Sequence, residues 1–516
     1  MTLRFKLASI LSLSFMTLGQ TQAMKDNEYH QLSIPEIHKE MASGNLTSAQ
    51  LTQYYIDQIK TLNPILNAVI TVNPNALTDA KAADKHREKA ASLGILHGIP
   101  VLLKDNIDTA DGMANTAGSL LLKDNFPEKD AFIVTQLRQA GAIILGKANL
   151  SEWANFRSTR SLSGWSAIGG QTKNPYDVTR TPCGSSSGSG AAVAAAMSAV
   201  AIGTETDGSI TCPSAINGIV GIKPTVGSVS RTGIIPISSN HDTAGPMARS
   251  VTDAVYLLQA ILGKDKEDRL GFESPYTENN LINHLKTDGL KGKRIGIVSN
   301  YLNPNPKVNE IFYQAVDTMK KAGAVIVDST PIKTKGDWGQ QQYNTLLWDF
   351  KDELADYLAT TKSSAKTLAD VMEFNLKHSL SEMPYFDQEI FDTANSSKGK
   401  QEPNYQSNLE EMLSLAREQG IDATLEKYNL DMLIAPTSGP AWKIDIVNGD
   451  HFQGSATSPA AVSGYPHITV PMGYVLHLPV GMSFFAGKNS EGSLVEAAYH
   501  FEQITKARRA PQLETR

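Results

Sequence analysis

Only two of the 516 residues are cysteine, Cys183 and Cys212. So few thiols exclude a disulfide-built scaffold and any zinc or iron–sulfur site assembled from several thiolates. No HExxH, CxxC or GxxxxGK[ST] sequence occurs, so no motif asks for a metal, a nucleotide or another cofactor. Basic charge is also scarce. The chain holds 47 Lys and Arg against 53 Asp and Glu, a formal net charge of −6, with no arginine–lysine block. Nucleic acid is therefore not an expected partner, because phosphate neutralisation needs a basic face. Beyond the N-terminus no apolar run approaches the roughly 18 residues of a membrane helix. What is present is a chain 41% hydrophobic and 19% charged, enough for a sizeable core and too apolar for global disorder.

The first 23 residues read as a secretory signal peptide. Arg4 and Lys6 form a positive start, Leu7 to Gly19 a short apolar run, and Thr21-Gln22-Ala23 a small-residue cleavage site. The mature protein, residues 24–516, is then expected to be exported to the periplasm or secreted, free of the membrane and monomeric. Length alone would permit about three domains at roughly 150 residues each. No repeat, low-complexity linker or composition break divides the chain, so one large domain is the simplest reading.

Local pattern alternates between helix and strand. Thr47 and Gln50 make a capping box ahead of Leu51, Tyr54, Tyr55 and Ile59 at helical spacing. Ile99 to Leu103 reads as a strand with Pro100 near its start, where a missing amide donor is tolerated. Asp130 to Ala140 reads as an amphipathic helix and Ala142 to Leu145 as a buried strand, which together argue for an α/β sheet. Residues 338–417 read as loosely patterned helices, a candidate substrate-side region.

Chemistry concentrates in two serine loops. Cys183-Gly184-Ser185-Ser186-Ser187-Gly188-Ser189-Gly190 runs into an alanine-rich helix, where free amides and glycines let a backbone approach a ligand. It contains a GxSxG match centred on Ser186. A nucleophile elbow needs a buried strand just before it, and the proline-broken stretch 174–182 is not one. After the helix, Gly203-Thr204-Glu205-Thr206-Asp207-Gly208-Ser209 forms a second tight loop whose amides can converge on an oxyanion. An activated serine needs a base. By position the candidates are His241, Lys147 and Lys104, the last closing an apolar strand where burial would lower its proton affinity.

Taken together, Gly98-Ile99-Pro100…Lys104-Asp105, Gly184 to Ser189, Thr206 to Ile210, Gly221 to Thr225, Asp242 to Met247 and Gly464 to Gly473 resemble the amidase signature family in order and spacing. The likeness spans about residues 30 to 510. Within the family, residues 151–157 and 203–209 are most similar to bacterial peptide amidases. The resemblance implies a single α/β/α domain with a central mixed sheet covered by helices. It makes Lys104 the base, Ser185 the relay and Ser209 the acyl-forming nucleophile, with a cis bond ahead of the relay. Amides of Thr206, Asp207, Gly208 and Ser209 would hold the oxyanion, with Ser186 among the substrate-binding groups. The implied reaction is hydrolysis of a small-molecule or peptide carboxamide, and for the peptide amidase branch release of ammonia from a peptide's C-terminal amide.

Two departures stand out. Many members have Asp-x-Gly-Gly-Ser where this chain has Glu205 to Ser209, so Asp207 adds a carboxylate that is expected to turn away from the oxyanion. Cys183 replaces the usual glycine. It stands two residues before Ser185, and Cys212 three after Ser209, yet separation gives no distance, and free buried thiols are the favoured expectation. Rival readings are an exported solute-binding protein, which needs no lysine–serine–serine set, and the amidotransferase subunit that feeds ammonia to aminoacyl-tRNA. The signal peptide argues against the second.

Overall fold

A computed structural model describes residues 29, 31–278 and 281–513, so the expected signal peptide lies outside the described residues. Thirteen strands are described: β1 Val69–Val72, β2 Pro100–Lys104, β3 Ile143–Ala148, β4 Trp165–Ser166, β5 Gly170–Gln171, β6 Val200–Glu205, β7 Val220–Lys223, β8 Thr243–Ala248, β9 Arg294–Ile297, β10 Val325–Val327, β11 Met432–Pro436, β12 His467–Val475 and β13 Leu478–Phe485. Eleven form one sheet in the order β1-β3-β2-β6-β8-β7-β12-β13-β11-β9-β10, while β4 and β5 pair by themselves. The large sheet is mixed, as expected from the sequence. β2 runs parallel to both β3 and β6, whereas β6, β8, β7, β12 and β13 are joined antiparallel.

The central strands are buried along their whole length, which explains their unbroken apolar runs. Register then places the chemistry. Val101 pairs with Val200 and Leu103 with Ile202, so the carboxyl ends of β2 and β6 finish side by side. Lys104 and Thr204 thereby meet at one edge of the sheet, the usual ligand-binding side where parallel strands end. Between the two serine loops runs the helix Ser187–Ala194, every residue of it buried. It lies close enough that a Cβ on Gly188 would sit 2.2 Å from the Ala68 carbonyl oxygen, so only glycine fits.

The expected elements are present with shifted ends. The expected helix 130–140 is Phe132–Gln139, and the expected strand 142–145 extends to Ala148. The 338–417 region holds the long helix Gly339–Thr360 and the helices Leu368–Lys377, Glu389–Ser396 and Tyr405–Ala416. It has its own core, where Phe350 stacks on Phe391 at 5.2 Å and meets Phe156 edge-on at 5.3 Å. That core also includes Trp153, Ile235 and Ile237, so the helices close over loops leading from the sheet. Among the described residues no helix is long and apolar enough to cross a membrane.

One expectation is overturned. Cys183 and Cys212 are joined by a disulfide, with Cα atoms 6.1 Å apart. The loop before Ser185 and the short helix Thr211–Ile216 converge on one apolar pocket, where Trp442, Ala441, Ile216 and Leu478 surround the bridge. Thiol titration in denaturant should accordingly find no reactive group before reduction and two afterwards. Two groups without reductant would exclude the bridge.

Candidate active site

Lys104 is fully buried, and among the described residues no carboxylate touches it. Its Nζ lies 2.7 Å from Ser185 Oγ, 2.8 Å from Thr204 Oγ1 and 3.2 Å from the Thr204 carbonyl oxygen. All three oxygens are neutral, so none of them offsets the cost of burying a charge on Nζ as a carboxylate would. Burial drives the lysine down to about 7, against the opposing fields of Asp242 and Glu205. Asn106 Nδ2 donates to Thr204 Oγ1 at 3.0 Å and fixes that hydroxyl from the other side.

The two serine loops are tied together. The peptide bond Gly184–Ser185 is cis, and the Ser186 amide donates to the Ser209 carbonyl at 3.1 Å. Ser185 is fully buried and Ser209 nearly so. Gly208 takes a φ of +81°, which glycine adopts without strain. The amides of Asp207, Gly208 and Ser209 donate to no backbone acceptor among the described residues, so they are free to face a ligand oxygen. Glu205, in the place where many family members carry Asp, accepts from the amides of Ile210 at 2.8 Å and Thr211 at 2.9 Å. It caps the helix that follows the second serine loop.

Asp207 is anchored away from those amides. Its Oδ1 accepts from Thr457 Oγ1 at 2.8 Å and its Oδ2 from Gln342 Nε2 at 3.1 Å. The substitution noted in the sequence thus fastens the second serine loop to the long helix Gly339–Thr360. Ser186 differs from its expected place among ligand-facing groups. Its hydroxyl donates to the Thr204 carbonyl at 3.0 Å and accepts from the Thr204 amide at 3.1 Å, which makes it a clasp between helix and strand.

The other candidate bases lie elsewhere. Lys147 Nζ bonds the Ile107 carbonyl and sits 3.9 Å from Asp105, with no bond to either serine loop. His241 is fully buried, held by Ser238 at 3.1 Å, and burial pushes it down to about 3, where it is a poor base at neutral pH.

Several groups at the site carry no local sequence signal. Thr204 and Asn106 are ordinary residues at strand ends, and only the folded register brings them to Lys104. Trp153, Ala154 and Asn155 have φ of 47°, 55° and 68°, three consecutive non-glycine residues in the left-handed region. Such strain persists where surrounding contacts over-determine it, often beside a site. Asn155 Oδ1 has no hydrogen-bond partner among the described residues. A cleft of about 330 Å³ reaches Asn106, Thr204, Thr206 and Asp242, walled by Ile235 and Tyr357. Among the described residues no group of three or more His, Cys, Asp or Glu is placed to hold a metal ion.

Comparison with known proteins agrees over nearly the whole chain. A family model for amidases matches residues 50–495. A protein of Arabidopsis thaliana named "probable amidase" is 39% identical over 98% of this chain and 96% of its own length. The solved structure of native peptide amidase from Stenotrophomonas maltophilia is 46% identical, with a TM-score of 0.90 over 95% of this chain and 100% of that one. Peptide amidase in complex with the competitive inhibitor chymostatin is 47% identical, with a TM-score of 0.91 over 94% and 100%.

The clasp reading of Ser186 is open to test. Ser186→Ala leaves the buried Thr204 amide without its acceptor and should cost about 1–3 kcal/mol of stability. Urea denaturation of the variant measures it, and an unchanged midpoint would return Ser186 to the ligand-facing groups.

Proposed function

The chain belongs to the amidase signature family of carbon–nitrogen amidohydrolases, and on that premise we propose that Lys104, Ser185 and Ser209 hydrolyse the C-terminal carboxamide of peptides or acylated amino acids. The observation that carries the assignment is the 2.7 Å contact between a buried, uncompensated lysine and the Ser185 hydroxyl. In this reading Ser209 Oγ attacks the amide carbonyl and passes its proton to Ser185, which passes one to neutral Lys104. The amides of Thr206, Asp207, Gly208 and Ser209 receive the developing oxyanion. As the carbon–nitrogen bond breaks, the proton returns through Ser185 to the departing nitrogen and ammonia leaves. Water then repeats the sequence on the Ser209 ester and releases the acid.

Similarity to peptide amidase supports a peptide substrate. A substrate of that kind suits an exported enzyme. We read residues 1–23 as the export signal, and a disulfide beside the active serines fits an oxidising compartment. Amidases acting on other small or fatty carboxamides share the same reaction and are the second reading.

Ser209→Ala should lower kcat at least about 10³-fold, and adding Lys104→Met should cost little more, because groups acting as one unit are not additive. Substantial residual turnover in Ser209→Ala would reject it as nucleophile. Only the free amine of Lys104 accepts a proton, so activity should fall as pH drops through about 7. A limb near pH 10, the ordinary lysine range, would remove Lys104 from the role.

Substrate class is read by offering one peptide as its carboxamide, as its free acid and as a C-terminally extended chain. Ammonia release from the first alone is expected. Cleavage inside the extended chain, or preference for a fatty amide, would overturn the peptide-carboxamide reading.

A further inference from the structure

Asp242 is half-buried at the wall of the cleft and takes part in no ion pair within contact distance among the described residues. Its Oδ1 accepts from Thr206 Oγ1 at 2.6 Å, and its Oδ2 accepts from the amides of Ile237 at 2.7 Å and Ser238 at 2.9 Å. Three donors converge on this carboxyl group and favour its ionised form, against burial, which pushes its pKa up. Thr206 opens the nucleophile loop, and its hydroxyl has Asp242 as its bonded partner. Asp242 and Thr206 also share the cleft with Asn106 and Thr204, the two residues that frame Lys104.

We propose that Asp242 is a positioning residue for amide cleavage: it fixes the oxyanion-binding loop through Thr206 and supplies the counter-charge to Lys104 when that lysine holds the proton. The proposal rests on the reading of Lys104 as base. At the moment of attack a buried amine becomes a buried ammonium, and no contacting carboxylate balances it. A carboxylate held rigidly nearby, outside hydrogen-bonding distance, favours that charged state without trapping the amine in a salt bridge at rest.

The surrounding charges single out Asp242. Lys104 faces two carboxylates, Asp242 first and Glu205 second. Glu205 is occupied by the Ile210 and Thr211 amides and by the field of Lys223, with Asp207 on its far side. Asp242 faces Arg231 as well as Lys104, but the Arg231 guanidinium is already engaged by Asp268 and the Ser239 carbonyl. His241, its neighbour, is held neutral by burial.

Asp242→Asn separates charge from shape. The amide oxygen can take the Ile237 and Ser238 amides while the nitrogen donates to Thr206, so the bonds survive and the charge is lost. The expected result is a kcat at least about tenfold lower, with KM little changed. The acidic limb of kcat/KM should move down by about one unit or more, since an anion that favours ammonium has been removed. Thr206→Val removes the bond and keeps the charge; it should lower kcat while leaving the limb in place. An unmoved limb in a folded Asp242→Asn protein overturns the counter-charge, and an unchanged kcat in Thr206→Val overturns the positioning. Should the asparagine variant fail to fold, Thr206→Val alone decides the second point. If the parent enzyme shows no limb near neutral pH, the reading of Lys104 as base is what fails.

Discussion

Everything at this site depends on taking an amine out of water without giving it an anion to hold. A lysine in contact with a carboxylate stays protonated and is useless as a base near neutral pH. Among the described residues Lys104 bonds only the Ser185 hydroxyl and the two oxygens of Thr204, and its burial is complete. Desolvation therefore wins over the fields of the two carboxylates farther off. The contrast with Lys147 is instructive, since it sits on the neighbouring strand, equally buried. There burial lowers the lysine too, but Asp105 at 3.9 Å and a backbone carbonyl face it in place of a serine hydroxyl.

Holding that arrangement is the work of the sheet. β2 and β6 are parallel and in register, so their ends are level, and each is buried on both faces. The helix Ser187–Ala194 lies close against Ala68, just before β1, and Asn149, just after β3, at Gly188, and against Pro213 and Asn217 at Gly190. Ser186 then clasps β6, Glu205 caps the helix after Ser209, and Asp207 reaches out to Thr457 and Gln342. These contacts hold the loops and strand ends around Lys104, Ser185 and Ser209 in place.

Much of this was legible in the chain itself. The apolar run Ile99 to Leu103 announces a buried strand, and two serine–glycine loops either side of an alanine-rich segment announce a site. Motif order carried the rest of the resemblance. β8 was not legible, because Gly245 and Pro246 argue against a central strand, yet Pro246 pairs with Ile202 in the middle of the sheet. Burial between β6 and β7 outweighs local preference there. The helix beginning at Ser187 shows the same override, since serine and glycine are weak helix formers. Thr204 and Asn106 look like any polar residues at strand ends, because their role exists only across the β2–β6 boundary. The cysteine pair misled for a similar reason: separation along the chain carries no information about convergence in space.

That disulfide has a topological consequence. By linking Cys183 to Cys212 it closes a covalent ring that contains Ser185, the buried helix, β6, the oxyanion loop and Ser209. Of the three residues proposed to react, Lys104 alone lies outside the ring and approaches it from β2. A single backbone cut inside the ring would not part the two serines. Loosening of β2 from β6, with every covalent bond intact, would withdraw the lysine and leave the serines paired. The weak point of the machine is thus a seam between two strands, and the ring confines the damage to that seam.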